Sequence, residues 1–110
     1  MPALPAAELR QANDEIAQLV VRVAQRLCEA ALDQPTDREV RLAVVTAARL
    51  IQAEVGAQLD EAVAGAARTG AGYAEIGAAV GMTRQGARRR WPEIAAVIQA
   101  AREADLSTDS

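Results

Sequence analysis

The stretch GYAEIGAAVGMTRQGARRRW, residues 72–91, decides how this chain folds. Gly72 is placed to cap a short helix whose apolar residues follow at helical spacing. Gly81 comes where that helix must end, in a left-handed conformation that penalises a side chain. Thr83 is the natural N-cap of a second helix, and Gly77 stands where the two helices must approach closely. The stretch therefore predicts two short helices joined by a tight turn.

The second of these helices is predicted to present a polar face to solvent. An advance of 100° per residue places Ala87 and Trp91 on its inward side. The same advance turns Gln85, Arg88 and Arg89 outward. Arginine can pair with O6 and N7 of guanine, and glutamine with N6 and N7 of adenine. These three outward residues are therefore the predicted base contacts.

Four further residues are predicted to contact DNA: Thr83, Arg84, Arg90 and Tyr73. Arg84 begins the second helix, and in a helix that docks in the major groove of DNA the N-terminal residues reach deepest toward base edges. Arg90 points toward the flank, so we expect it to contact phosphate or to pair with Glu75 or Glu93. The hydroxyl groups of Thr83 and Tyr73 are expected to donate to phosphate oxygens.

Residues Tyr73–Gly77, Val80–Ala87, Arg90 and Trp91 together resemble the helix-turn-helix of small bacterial transcriptional regulators. They are also similar to the related motif in sigma-factor DNA-binding regions. The resemblance covers about 20 of 110 residues and implies that the second helix enters the major groove. The chain departs from the usual pattern at Arg90, where an apolar residue is common, and at Gly86, which costs a helix about 1 kcal/mol relative to alanine.

Two long helices are predicted before this motif, in a hairpin that occupies residues 1–69. The first covers about residues 5–32, with one apolar face that includes Leu9, Ile16, Leu19, Val23 and Leu27. Thr36 and Glu39 form a capping box that begins the second helix, and Gly70 is placed to stop it. The apolar face of the second helix comprises Val40, Val44, Ala47, Ile51, Val55, Leu59 and Val63.

An isolated antiparallel hairpin would leave much of this apolar surface in water. Burial against a second copy of the chain removes that surface from solvent, so we expect a homodimer. The alternative is that both helices fold back on the C-terminal module. That module, residues 70–104, contains the motif and a closing helix that starts at Pro92, and residues 105–110 are predicted to form a disordered tail. The predicted fold is all-α.

The charge distribution singles out the motif as a basic segment of an acidic protein. The chain has a net charge of −3, yet residues 71–92 contain four arginines and one acidic residue. Residues 1–70 contain seven arginines and ten acids, and residues 93–110 one arginine and four acids. A compact basic segment favours a defined contact with a polyanion over indiscriminate coating of nucleic acid.

Several classes of function have no support in the sequence. The chain has no histidine and one cysteine, Cys28, which falls in an apolar pattern and is predicted to be a buried, unreactive thiol. A zinc site of the usual ligand types is therefore excluded, and no motif implies a cofactor. We find no nucleophile with a paired base and no phosphate loop, so we expect no enzyme. No segment approaches bilayer-spanning length, and we expect a cytoplasmic protein.

These observations predict a sequence-specific, DNA-binding transcriptional regulator that acts as a homodimer on an inverted-repeat operator. Two alternatives remain open. The chain could be a helical protein–protein interaction module, such as an adaptor or an antitoxin-like partner, whose arginines meet an acidic protein surface. It could also be a plasmid-partition or architectural DNA-binding protein. Whether the hairpin binds a small-molecule effector is left open by the sequence.

Overall fold

The computed structural model describes residues 4–108, which contain helices and no strand. The elements are α1 (Ala6–Ala31), α2 (Asp37–Arg68), α3 (Tyr73–Val80), α4 (Arg84–Arg90), a 3₁₀ turn (Pro92–Ile94) and α5 (Ala95–Thr108). The all-α prediction is confirmed. The absence of strands in this part of the chain agrees with its high alanine content and scarce aromatic side chains.

Local hydrogen bonds fix both ends of the 32-residue helix α2. At its start the backbone N–H of Thr36 donates to the Glu39 carboxylate at 3.1 Å, and the N–H of Glu39 donates to the Thr36 hydroxyl at 3.2 Å. This is the predicted capping box. At its end Gly70 adopts a φ of 97°, and the N–H of Ala71 returns to the carbonyl of Ala66 at 3.2 Å. A left-handed glycine with this return bond is a Schellman stop.

The chain divides into two compact units, an N-terminal unit that ends at Gly56 and a C-terminal unit that begins at Ala57. We expected the division near residue 70. It falls earlier because the last turns of α2 belong to the C-terminal unit, where Val63 and Ala67 are buried in its core. Helix α2 therefore contributes residues to both units.

The core of the C-terminal unit is built around Trp91, which is 1% exposed. Its other buried members are Val63, Ala67, Ile76, Ala87, Ile94 and Ile98, which come from α2, α3, α4, the 3₁₀ turn and α5. Every helix of this unit thus contributes to a single cluster. The cluster fixes α3 and α4 against the end of α2.

Among the described residues of the N-terminal unit, the buried side chains are two small ones, Ala24 and Ala47. Cys28 is only partly buried, so its predicted full burial is not observed. Most large apolar residues of α1 and of the first part of α2 are exposed: Leu9, Ile16, Leu19, Val21, Val40, Leu42, Val44, Val45, Leu50 and Val55. Much of the apolar surface of these helices is therefore not buried within a single chain.

The last helix is longer than the sequence indicated. We placed its end near residue 104 and a disordered tail at residues 105–110, but α5 continues to Thr108. Asp105, Leu106 and Ser107 extend the helix as exposed residues, which is compatible with the polar character that suggested a tail. Residues 109 and 110 lie outside the described part of the chain.

Candidate nucleic-acid interface

The turn between α3 and α4 is closed by a backbone hydrogen bond, and it packs so closely on α3 that it leaves no room for a side chain at Gly77. Gly81 has a φ of 74°, and the N–H of Met82 donates to the carbonyl of Gly77 at 2.8 Å. A Cβ atom on Gly77 would lie 2.8 Å from the Met82 carbonyl oxygen and 2.9 Å from that of Thr83. The predicted close approach at Gly77 is therefore observed, and the neighbouring atoms belong to backbone.

The start of α3 is capped by Gly72, which lies under the side chain of Arg102. The N–H of Gly72 donates to the Glu75 carboxylate at 3.5 Å, which is half of a capping box, since glycine has no side chain to complete it. A Cβ atom on Gly72 would lie 2.8 Å from Nη2 of Arg102 in α5. A serine or aspartate cap would require that guanidinium group to move.

The N-terminus of α4 is capped by Thr83, as predicted. Its hydroxyl oxygen accepts the N–H of Gly86 at 3.0 Å, and the hydroxyl hydrogen remains available for another acceptor. A Cβ atom on Gly86 would lie 3.2 Å from that same hydroxyl oxygen. The glycine therefore gives the capping hydroxyl room, which accounts for a residue that departs from the usual pattern of the motif.

The outward face of α4 consists of four exposed side chains: Arg84, Gln85, Arg88 and Arg89. Within residues 4–108 none of the four forms a side-chain hydrogen bond or an ion pair. Ala87, on the opposite side of the helix, is fully buried with Trp91 beneath it. The predicted inward and outward sides of α4 are thus confirmed. Three guanidinium groups and one amide face solvent from a helix whose other side is fixed in the core.

Arg90 is not part of this face. Its Nη2 donates to Oδ1 of Asp60 in α2 at 3.2 Å, and its guanidinium carbon lies 5.2 Å from the centre of the Trp91 ring. We expected a contact with phosphate or an ion pair with Glu75 or Glu93. The observed partner is instead 30 residues away in sequence, on a helix brought alongside by the core.

Tyr73 is also committed within the protein. Its hydroxyl donates to the carbonyl oxygen of Trp91 at 2.8 Å, with the Pro92 carbonyl oxygen 3.3 Å away. A phenol has one hydrogen to donate, so the expected contact with phosphate is replaced by a tie between the start of α3 and the end of α4. Tyr73 therefore helps to fix α4 relative to α3 from inside the protein.

One residue near this interface was missed by the sequence analysis. Oδ1 of Asp60 accepts the indole N–H of Trp91 at 2.8 Å in addition to the Arg90 guanidinium. No local spacing could have indicated it, because Asp60 and Trp91 are 31 residues apart. The only signal in the sequence was that a buried tryptophan needs an acceptor for its N–H group.

Residues 4–108 contain no group of three or more His, Cys, Asp or Glu side chains that could hold a metal ion. None of the helices described in this range is long and apolar enough to cross a membrane. No family model, curated protein or solved structure matches the chain.

Proposed function

We propose that this protein is a sequence-specific DNA-binding transcriptional regulator. The observation that carries the proposal is the outward face of α4, on which Arg84, Gln85, Arg88 and Arg89 are exposed and lack partners among the described residues. Surface arginines commonly pair with nearby carboxylates, and an acidic protein offers many of them. A set of cations left unpaired on one rigid helix is suited to an external polyanion.

In this proposal α3, the glycine turn and α4 form a helix-turn-helix, and α4 enters the major groove. Gln85 and Arg88 read base edges together with Arg89, because planar amide and guanidinium groups match the donor and acceptor patterns found there. Arg84 and the hydroxyl hydrogen of Thr83 lie at the N-terminus of α4, where contacts to base edges or phosphates are made.

The exposed apolar residues of α1 and α2 support the homodimer part of the proposal. Ile16 is 56% exposed, Leu42 58% and Val45 64%, although each lies on a long helix whose apolar residues recur at helical spacing. Burying a side chain of this size contributes about 1.5–3 kcal/mol, so a few such residues per chain could stabilise a dimer. A twofold dimer would recognise an inverted repeat with half-sites about 34 Å apart, or a multiple of this.

The same exposed residues also favour a second candidate function. A helical interaction module, such as an adaptor or an antitoxin-like protein, would bury them against a different protein, and the arginines of α4 would then meet an acidic surface. A plasmid-partition or architectural role would use the same α4 face on DNA. These candidates differ from a regulator in their dependence on DNA sequence.

Selection of binding sites from random duplex DNA, followed by fluorescence anisotropy titration, tests the proposal. We expect a selected inverted repeat to bind more tightly than random DNA, with an affinity that falls steeply as salt increases. Gln85→Ala and Arg88→Ala should each weaken binding to the selected site by about 5- to 150-fold, which corresponds to 1–3 kcal/mol. Their effect on random DNA should be no more than about threefold for the loss of one contact.

Arg10→Ala is the matched control for Arg88→Ala. It removes the same charge from an exposed position of α1, so it should leave the affinity for the selected site within about twofold of wild type. Equal losses on selected and random DNA would exclude sequence reading and favour the architectural role. Failure to bind any duplex, at low salt, would exclude the DNA proposal and leave the interaction module.

A further inference from the structure

Asp60 accepts two hydrogen bonds where α2 lies against the C-terminus of α4. Its Oδ1 is 2.8 Å from Nε1 of Trp91 and 3.2 Å from Nη2 of Arg90. The Arg90 guanidinium in turn lies over the Trp91 ring, with 5.2 Å between its carbon and the ring centre. One carboxylate therefore ties together the two residues with which α4 ends.

These bonds matter because α4 is too short to hold its own conformation. It has seven residues, whereas isolated helices shorter than about 12–15 residues are marginal in water. Its position depends on its anchors, which are the Thr83 cap at one end and the buried Ala87 and Trp91 at the other. Nε1 is the only polar atom of the Trp91 side chain, and Asp60 supplies its acceptor.

An acidic residue is unexpected beside a surface that binds a polyanion. The charge of Asp60 repels phosphate. Its ion pair with Arg90 also weakens the attraction of that arginine for DNA. Both effects act against DNA affinity. The carboxylate at this point is accounted for by the fixing of α4, since the indole N–H of the buried Trp91 requires an acceptor there.

We propose that Asp60 is a positioning residue for DNA binding, which acts through Trp91 and Arg90 without contacting DNA. This inference rests on the proposed function for its effect on affinity. Its structural part, that Asp60 fixes the end of α4, can be measured without DNA. Loss of the acceptor should lower the fraction of molecules in which α4 is ready to bind, and the apparent affinity falls by that fraction.

The test compares Asp60→Ala and Asp60→Asn with Glu61→Ala and Glu61→Gln. Glu61 is the next residue of α2 and has its own ion pair, to Arg68 at 3.1 Å, so its substitution changes the charge equally without touching α4. The amide oxygen introduced by Asp60→Asn can still accept the indole N–H, whereas the methyl group of Asp60→Ala cannot. Each variant is first shown by circular dichroism to be fully folded at the temperature of measurement.

Two readouts need no DNA. The chain has one tryptophan, so its indole N–H gives a single resonance in a ¹⁵N-labelled sample. We expect this resonance to move upfield in Asp60→Ala and to stay close to its wild-type position in Asp60→Asn and in both Glu61 variants. The amides of residues 84–90 should exchange about tenfold faster in Asp60→Ala alone.

The third readout is affinity for the selected duplex. Asp60→Ala should raise Kd about tenfold, whereas Asp60→Asn should remain within about threefold of wild type. Glu61→Ala should bind as tightly as wild type or more tightly, because it only removes a repulsive charge. Asp60→Ala is thus expected to bind more weakly than Glu61→Ala, which a purely electrostatic role for Asp60 would not produce.

The possible results separate this proposal from the proposed function. An indole resonance and α4 exchange rates that are unchanged in Asp60→Ala would overturn the anchoring role. Altered dynamics with a Kd equal to that of Glu61→Ala would overturn the link to DNA. Should wild-type protein bind no duplex, the proposed function fails and the link to DNA fails with it. The indole resonance and the exchange rates would still decide the anchoring role in that case.

Discussion

The tightest steric constraint at the proposed DNA-binding surface is at Gly77, and Gly77→Ala tests it with a single methyl group. The added Cβ would lie 2.8 Å from the Met82 carbonyl oxygen and 2.9 Å from the Thr83 carbonyl oxygen. Ordinary contacts between a carbon and a carbonyl oxygen are about 3.3–3.6 Å. Both oxygens belong to the backbone of the turn, so relief requires the turn to move by about half an ångström.

The sign of the effect depends on two opposing contributions. Alanine is favoured over glycine within a helix by about 1 kcal/mol, because it restricts the unfolded chain. Overpacking against a fixed neighbour costs about 1–3 kcal/mol. Movement of Thr83 would also weaken the first hydrogen bond of α4, from the Ala87 N–H to the Thr83 carbonyl at 3.0 Å. We therefore expect Gly77→Ala to destabilise the C-terminal unit by about 1–2 kcal/mol.

Gly65→Ala is the matched control, since it makes the same change within a helix of the same unit. A Cβ atom there would meet only Nη2 of Arg68, at 3.7 Å, which is an ordinary contact with a flexible side chain. The helical preference of alanine should then prevail, and Gly65→Ala should stabilise the protein by up to about 1 kcal/mol. The two variants should differ by about 1–3 kcal/mol.

Urea unfolding followed by tryptophan fluorescence measures this difference, because Trp91 is buried in the core of the same unit. The same samples should show that Gly77→Ala weakens DNA binding, while Gly65→Ala leaves it unchanged. An unfolding free energy for Gly77→Ala equal to or above that of wild type would refute the steric argument. It would show that the turn between α3 and α4 adapts to a side chain at no cost.

Three further predictions address the dimer, Tyr73 and the start of α2. Ile16→Glu should convert the proposed dimer to a monomer in sedimentation velocity, whereas Leu106→Glu, at a more exposed position in α5, should leave it dimeric. Sedimentation of both variants at the wild-type rate would contradict the placement of Ile16 in a dimer interface. Tyr73→Phe should lower the unfolding free energy by about 1 kcal/mol and leave DNA affinity within about twofold of wild type, because the hydroxyl donates inside the protein. A large loss of affinity at unchanged stability would instead support a contact between this hydroxyl and phosphate. The pKa of the Glu39 carboxyl is lowered, mainly by the backbone N–H of Thr36 and further by the Thr36 side chain. The stabilisation by this charge is therefore present above pH 4.5 and is lost as the pH falls through the lowered pKa. Glu39→Gln should therefore be less stable than wild type near neutral pH and equal to it in acid, and a difference that persists in acid would contradict this origin.

The parts of the interface that the sequence predicted correctly depend on residues close together in the chain. The Thr83 cap, the left-handed Gly81 and the outward direction of Gln85, Arg88 and Arg89 follow from hydrogen bonds and helical rotation within a few residues. The internal partners of Arg90 and Tyr73 were not predicted, because those partners lie 30 and 18 residues away. Helical rotation gives the direction of a side chain but not what the rest of the fold places there.

Local sequence was enough to establish that the protein is helical, where α2 begins and ends, and which side of α4 faces solvent. These properties follow from repeating apolar spacing and from capping groups that act within one helical turn. Three further features emerged only from the folded chain: the end of α2 joins the C-terminal core, Asp60 accepts the Trp91 indole N–H, and much of the apolar surface of α1 and α2 stays exposed within one chain. Those outcomes depend on how helices distant in sequence share a limited volume of close-packed core, which no local pattern specifies.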